Sequence, residues 1–193
     1  LPAAEASGRG RISTPCVEPS SLRYSIILRS LDELPRESLV AMVQLYCQKV
    51  ETFYAILGTV LPFDIVKCIY ERTSVHGLSH ESCLAYLNLI LAIALITPFS
   101  GRSASFASAA VYFDRALSIA STAEGLFLTS TISSLRFTLL TCFYVWLHPS
   151  SGNLFRLVSA ACRICLDLFE SQDLNTEENA VLRTLFRTTY VLD

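Results

Sequence analysis

The sequence predicts an all-α domain of about seven helices packed as antiparallel hairpins, and three observations carry that expectation. Apolar residues recur at helical spacing through most of the chain beyond residue 34. Alternating strand patterns are nearly absent. Glycine is scarce, with seven in 193 residues, and clusters of turn residues are well separated. Length allows one domain with a real core, here 35–193, and is short for two.

Residues 1–34 read as a disordered or extended N-terminal segment, since "LPAAEASGRGRISTPCVEPS" carries no hydrophobic signal-peptide core. The first strong helix is expected from Pro35 to Leu57, with Pro35 in its first turn and Leu39, Met42, Tyr46, Val50, Phe53 and Leu57 as one stripe. Gly58 and Pro62 should break it, and a short helix follows around Phe63 to Glu71. After the loop "TSVHGLSH" comes an almost wholly apolar helix, Glu81 to Thr97, with Asn88 as its strongly polar interior residue. Such a helix must be surrounded on most sides, so it is the expected centre of the domain.

A helix from Ser103 to Ala120 opens with small residues that would let a neighbouring backbone come close. Ser130 to Leu147 forms the next, and "HPSSG" makes a tight link into Asn153 to Phe169. The last helix begins at Thr176, read as its cap, with Glu177 and Glu178 placed well against the helix dipole. "ASAAVYFDRALSIA" has tetratricopeptide-like spacing, but no second copy stands 34 residues away, which argues against a repeat array.

Composition sets further bounds. With 52% hydrophobic and 17% charged residues, and a mean hydropathy of +0.45, much of the chain must be buried in itself, a partner, a ligand or a membrane. The longest apolar runs, Cys83 to Ile96 and Leu135 to Leu147, are shorter than the roughly 20 residues a spanning helix needs, so no membrane span is expected. Seven cysteines, an odd number lying mostly in helical apolar patterns, favour an intracellular setting, nuclear or cytoplasmic, over a disulfide framework. The 15 basic and 17 acidic residues are scattered, and Lys49 and Lys67 are the lysines, so no stripe for tracking nucleic-acid phosphates is visible.

Motifs for familiar chemistry are weak. Cys162 and Cys165 have CxxC spacing but lie within a predicted helix without a second pair, and they read as core. His76 and His80 fall in a loop and cap, and His148 sits at a helix end where it can satisfy terminal carbonyls. There is no nucleophile elbow, phosphate-binding glycine loop or paired acidic motif, so no metal or cofactor is expected. Arg163 is an arginine on an otherwise apolar helix. If buried it must meet carboxylates or carbonyls, and a clamp to Glu178 or Asp193 on the last helix is the expectation, with a ligand-facing Arg163 as the alternative. Tyr86, Asn88, Tyr112, Tyr144 and Trp146 are polar-tipped or amide residues on apolar helices, suited either to a small-molecule pocket or to an ordinary core.

Four segments, in order, carry a resemblance. "LVAMVQLYCQKVETFYAIL" (39–57), "ASAAVYFDRALSIA" (107–120), "SGNLFRLVSAACRICLDLFE" (151–170) and "ENAVLRTLFRTTYVLD" (178–193) resemble the fungal-specific transcription factor domain, the middle homology region of zinc-cluster transcription factors. Arg163 stands where that family has its helix arginine, Phe186 its aromatic before tryptophan, and Tyr190 with Asp193 its Tyr-x-x-Asp. Arg187 replaces the tryptophan, Asp167-Leu168-Phe169 stands for Leu-Gly-Leu, and the six-cysteine zinc cluster is missing. The family's domain also normally continues beyond Tyr-x-x-Asp.

The resemblance implies a ligand-sensing or partner-binding regulatory domain without its own DNA-binding module, with an apolar small molecule and a homodimer or protein partner as expected partners. The alternative is a stand-alone, cofactor-free cyclase or isomerase acting on an apolar polyene or terpenoid in fungal secondary metabolism. Orientation and a few hydrogen-bond donors suffice for such reactions.

Overall fold

Pro35 has no N–H to lose, and its carbonyl accepts from Ser38 N at 2.9 Å, so it stands immediately before the first helix as its cap instead of inside the first turn. The computed structural model describes residues 35–58, 61–71, 74, 77–97, 106–122, 129–171 and 175–192. The expected disordered segment 1–34, and with it Cys16, His76 and Asp193, lies outside the described residues. Among the described residues the architecture is all-α, with seven helices when the run from Arg36 to Tyr54 is taken as one.

Helix α1 (Arg36–Tyr46) buries Leu39, Met42, Val43 and Tyr46. It continues through a π-helical turn (Cys47–Glu51) into a single α-helical turn (Thr52–Tyr54), which ends where Ala55 takes the left-handed conformation at φ 44°. The expected unbroken stripe to Leu57 fails here for a geometric reason. A π-turn holds an extra residue, so everything after it is rotated relative to an α-helix. Phe53 consequently points outward at 76% exposure, while Tyr54 meets Phe143 at 4.8 Å between ring centroids. Glu51 turns inward in the process.

Helix α2 (Leu61–Glu71) includes Pro62 in its first turn, so this proline starts a helix where the sequence suggested a break. Helix α3 (His80–Ile96) is capped by Ser79, whose Oγ accepts from Ser82 N at 3.1 Å, and it is buried without interruption from Ala85 to Ile96. It packs against α1, α2, α4 and α5, as its composition requires. Helix α4 (Phe106–Thr122) turns Ser108, Ala109, Ala116 and Ala120 inward, and these small residues give it the most extensive pairing in the molecule, with α3.

Helix α5 (Ile132–Leu147), capped by Thr131, is the second interior helix and touches α3, α6 and α7. A 3-10 turn (Pro149–Ser151) leads to helix α6 (Leu154–Glu170), capped by Asn153 through Arg156 N. Helix α7 (Thr176–Leu192) is capped by Asn175, one residue before the expected Thr176. Asn175 Oδ1 accepts from Glu178 N at 2.9 Å and Glu178 Oε2 accepts from Asn175 N at 3.1 Å, a reciprocal capping box. Near its other end, the Thr188 hydroxyl donates to the carbonyl of Tyr54 at 2.6 Å, joining the last helix to the end of the first.

Candidate functional site

Two places hold side chains beyond what simple packing needs. The first is a polar cluster inside the bundle, where the π-turn meets α5. Glu51 is 5% exposed, and both of its oxygens are engaged. Oε2 accepts from the Tyr46 hydroxyl at 2.8 Å, and Oε1 accepts from the backbone N–H groups of Leu57 at 2.6 Å and Gly58 at 2.5 Å. Tyr46 and Glu51 are five apart, the π-helical spacing, so the π-turn is what sets this pair face to face. The carboxylate thereby closes the chain reversal at Ala55, offsetting about 1–2 kcal/mol of left-handed strain at that alanine.

Arg136, on α5, is half-buried, and its Nε is buried without a hydrogen-bond partner. Burial lowers its pKa, while the nearby Tyr86 and Glu51 act to raise it. Burial likewise pushes the Glu51 carboxyl above its ordinary value, although Tyr46, the two backbone donors and Arg136 pull it back down. Tyr86 closes the cluster by donating to the carbonyl of Ser133 at 2.5 Å, with its ring edge-on to Phe137. Both oxygens of Glu51 are thus engaged, Oε1 by the backbone and Oε2 by Tyr46, which leaves Arg136 Nε as the buried polar atom of the cluster without a hydrogen bond.

The second place is an open groove of about 350 Å³ between the end of α5 and the start of α6, lined by Val145, Trp146, Pro149, Gly152, Asn153 and Leu154. Trp146 is 48% exposed, and its indole packs edge-on to Tyr54. Gly152 has a role in the floor: a Cβ there would stand 3.3 Å from Val145 Cγ2. An indole beside apolar walls, with one N–H available, suits an apolar group carrying an acceptor.

The residues singled out in sequence are dispersed. Tyr86 belongs to the Glu51 cluster. Asn88 is buried in α3, with Nδ2 donating to Leu84 O at 2.8 Å and Oδ1 unpartnered. Tyr112 is buried beneath Arg115. Tyr144 stacks on Phe113 at 4.0 Å, its hydroxyl buried without a partner. Trp146 alone of the set lines the groove. These residues do not converge on one cavity among the described residues.

The clamp expected of Arg163 is absent at Glu178, and its other expected partner, Asp193, lies outside the described residues. The position of Arg163 on α6 faces outward, so it is exposed, and it makes no ion pair with Glu178, whose carboxylate serves the α7 cap. Tyr190 is 79% exposed. In the CxxC pair, Cys165 is buried with its Sγ 4.0 Å from Thr189 Oγ1, and burial pushes its thiol up to about 11, whereas Cys162 is half-exposed. His148 directs Nδ1 at the Ser151 hydroxyl and stacks on Phe106, so its side chain holds the 3-10 turn and not the terminal carbonyls. His80 is exposed in the first turn of α3. Among the described residues no group of His, Cys, Asp and Glu is placed to hold a metal ion, and no helix is long and apolar enough to cross a membrane.

Sequence reasoning missed Glu51 and the role of Arg136. In an α-helical register Glu51 falls beside the polar face, and the only clue was a carboxylate directly after the buried Val50. Comparison with family models, with curated proteins and with solved structures finds no match.

Proposed function

We propose that the chain is a regulatory helical domain that senses an apolar small molecule, of the kind it resembles in fungal zinc-cluster transcription factors. The Trp146 groove carries this reading. Its volume lies in the range of small-molecule sites, and its walls combine an exposed indole with aliphatic and proline surface. An effector seated there would touch both the end of α5 and the start of α6, and would bias how those helices meet. The response is a population shift, read by other proteins on the outer surface of α6 and α7. The resemblance adds support, because Arg163 and Tyr190, two of the residues that carry it, lie on that outer surface.

The test uses the fact that the chain has a single tryptophan, so its emission reports on the groove alone. A trace of purified chain is incubated with apolar fungal extract, and the retained and converted compounds are followed by mass spectrometry while Trp146 emission is recorded. One compound held at a ratio of one per chain, with a blue-shifted emission lost in Gly152→Val, is the expected result. A retained compound that leaves the emission unchanged removes the groove from the reading.

A second reading, a cofactor-free cyclase or isomerase, draws on Arg136. A half-buried guanidinium whose Nε has no hydrogen-bond partner, near Tyr86 and next to apolar interior, is a candidate donor. New product in excess of the chain in the same incubation, lost in Arg136→Met, would establish it over the regulator.

A further inference from the structure

Helix α6 is amphipathic in the ordinary sense, with Val158, Ala161, Cys165 and Leu168 buried against its neighbours. Its outer side is not ordinary. Phe155 is 75% exposed, Leu166 57% and Phe169 40%, and with Ser159 and Cys162 they fall at steps of four, three, four and three residues. That alternation is the heptad seam by which one helix packs along another. So α6 carries two apolar seams, and the chain itself covers one. Phe186 of α7 borders the second by meeting Phe169 edge-on at 5.9 Å.

We propose that the second seam of α6 binds the same seam of a second copy of this chain, antiparallel about a two-fold axis at Cys162. The antiparallel arrangement is the one that charge favours, since a parallel pairing would set Arg156 against Arg156 and Glu170 against Glu170. Phe155 meets Phe169 of the second copy, and Leu166 fills the space left by Ser159 of the second copy. Cys162 faces Cys162. Charge agrees with shape: Arg156 at one end of the seam is brought opposite Glu170 of the second copy at the other end, and the symmetry makes this pair twice. Neither Arg156 nor Glu170 is in an ion pair within the chain among the described residues. Arg163 flanks the axis on the same side and comes near Arg163 of the second copy, a like-charge contact that opposes association and that the two Arg156–Glu170 pairs must outweigh. A two-fold contact requires this kind of reciprocity, in which each residue of a pair supplies both halves of the interface. The proposal does not depend on the Trp146 groove or on the regulatory reading.

Four measurements on the full chain test it. Sedimentation at tens of micromolar is expected to give twice the 21.4 kDa chain mass. Leu166→Glu, at an exposed position that leaves helix content unchanged, is expected to weaken association by at least about tenfold, since it replaces a buried leucine contact with a charge. Arg156→Glu should also weaken it, and the double variant Arg156→Glu with Glu170→Arg should restore it, which simple stickiness would not do. A short bismaleimide should join two chains through Cys162, and Cys162→Ser should abolish that product. A monomeric chain overturns the proposal. So does a dimer indifferent to Leu166→Glu, or one that the double charge reversal fails to restore.

Discussion

Helices α3 and α6 are both 17 residues long and are buried in opposite ways. Helix α3 is apolar all round and is enclosed by four others, so each of its apolar residues already has a partner. Helix α6 is strongly two-sided, yet its outer side still carries Phe155, Leu166 and Phe169. Apolar content therefore means different things on the two helices: on α3 it measures burial within the chain, and on α6 it exceeds what the chain can bury. Exposed apolar residues scattered singly need no explanation, but a row of them at heptad steps does.

Truncation should separate the two helices most sharply. Leu89→Ala, in the fully buried part of α3, is expected to cost about 2–5 kcal/mol through lost transfer energy and a cavity, measured by denaturant unfolding. Leu166→Ala on α6 should stay within about 0.5 kcal/mol when unfolding is followed under dilute, monomeric conditions. A large cost at Leu166 in dilute solution would mean that the outer seam is packed within the chain and would break the contrast.

Next in size is the polar cluster, which tests whether the interior around α3 tolerates a charge only because it is satisfied. Tyr46→Phe removes a hydroxyl donor to a buried carboxylate and is expected to cost about 1.5–3 kcal/mol. The pH dependence has a definite sign. The folded Glu51 pKa is raised above the ordinary 4.5. Its stabilising contribution is therefore full below that value and is lost as pH rises through the higher folded value. Against Glu51→Gln, the wild-type chain should gain stability as pH falls from neutral toward 4.5 and then level off. A difference that does not change with pH would mean that the carboxylate is not desolvated. The smallest effect sits at the edge of α7, where Asn175→Ala removes half of a capping box and should cost about 1 kcal/mol.

Much of the fold was legible in the sequence because helix boundaries are written locally. Ser79, Thr131 and Asn153 each precede an apolar run and each caps it through its side chain. The exceptions have physical causes. At α7 two adjacent residues, Asn175 and Thr176, are both good caps, and the reciprocal bond with Glu178 selects Asn175. In α1 the π-turn inserts a residue that α-helical periodicity does not count, so Phe53 and Tyr54 exchange roles and Glu51 moves inside.

The site was less legible. The clamp role weighed for Arg163 depended on its being buried, and its place in the turn faces solvent. The polar-tipped residues Tyr86 and Asn88 on α3, Tyr112 on α4 and Tyr144 on α5 are each packed in a different part of the interior, and among the set Trp146 reaches the groove. Periodicity says which face a residue takes on its own helix; it does not say where the faces of two helices leave a gap.

The bond from the Thr188 hydroxyl to the Tyr54 carbonyl spans 134 residues of sequence. A carbonyl in the final turn of a helix has no partner along its own helix, so this one waits for a side chain made far later. During synthesis, α1 can form as soon as it leaves the ribosome, but its end stays open until nearly all of the described chain has been translated. Such a long-range closure raises the contact order and slows the last step of folding. In the growing chain, the Glu51 brace and the Ala55 reversal must hold that end in shape until α7 arrives. The order of synthesis thus sets which bond completes the domain.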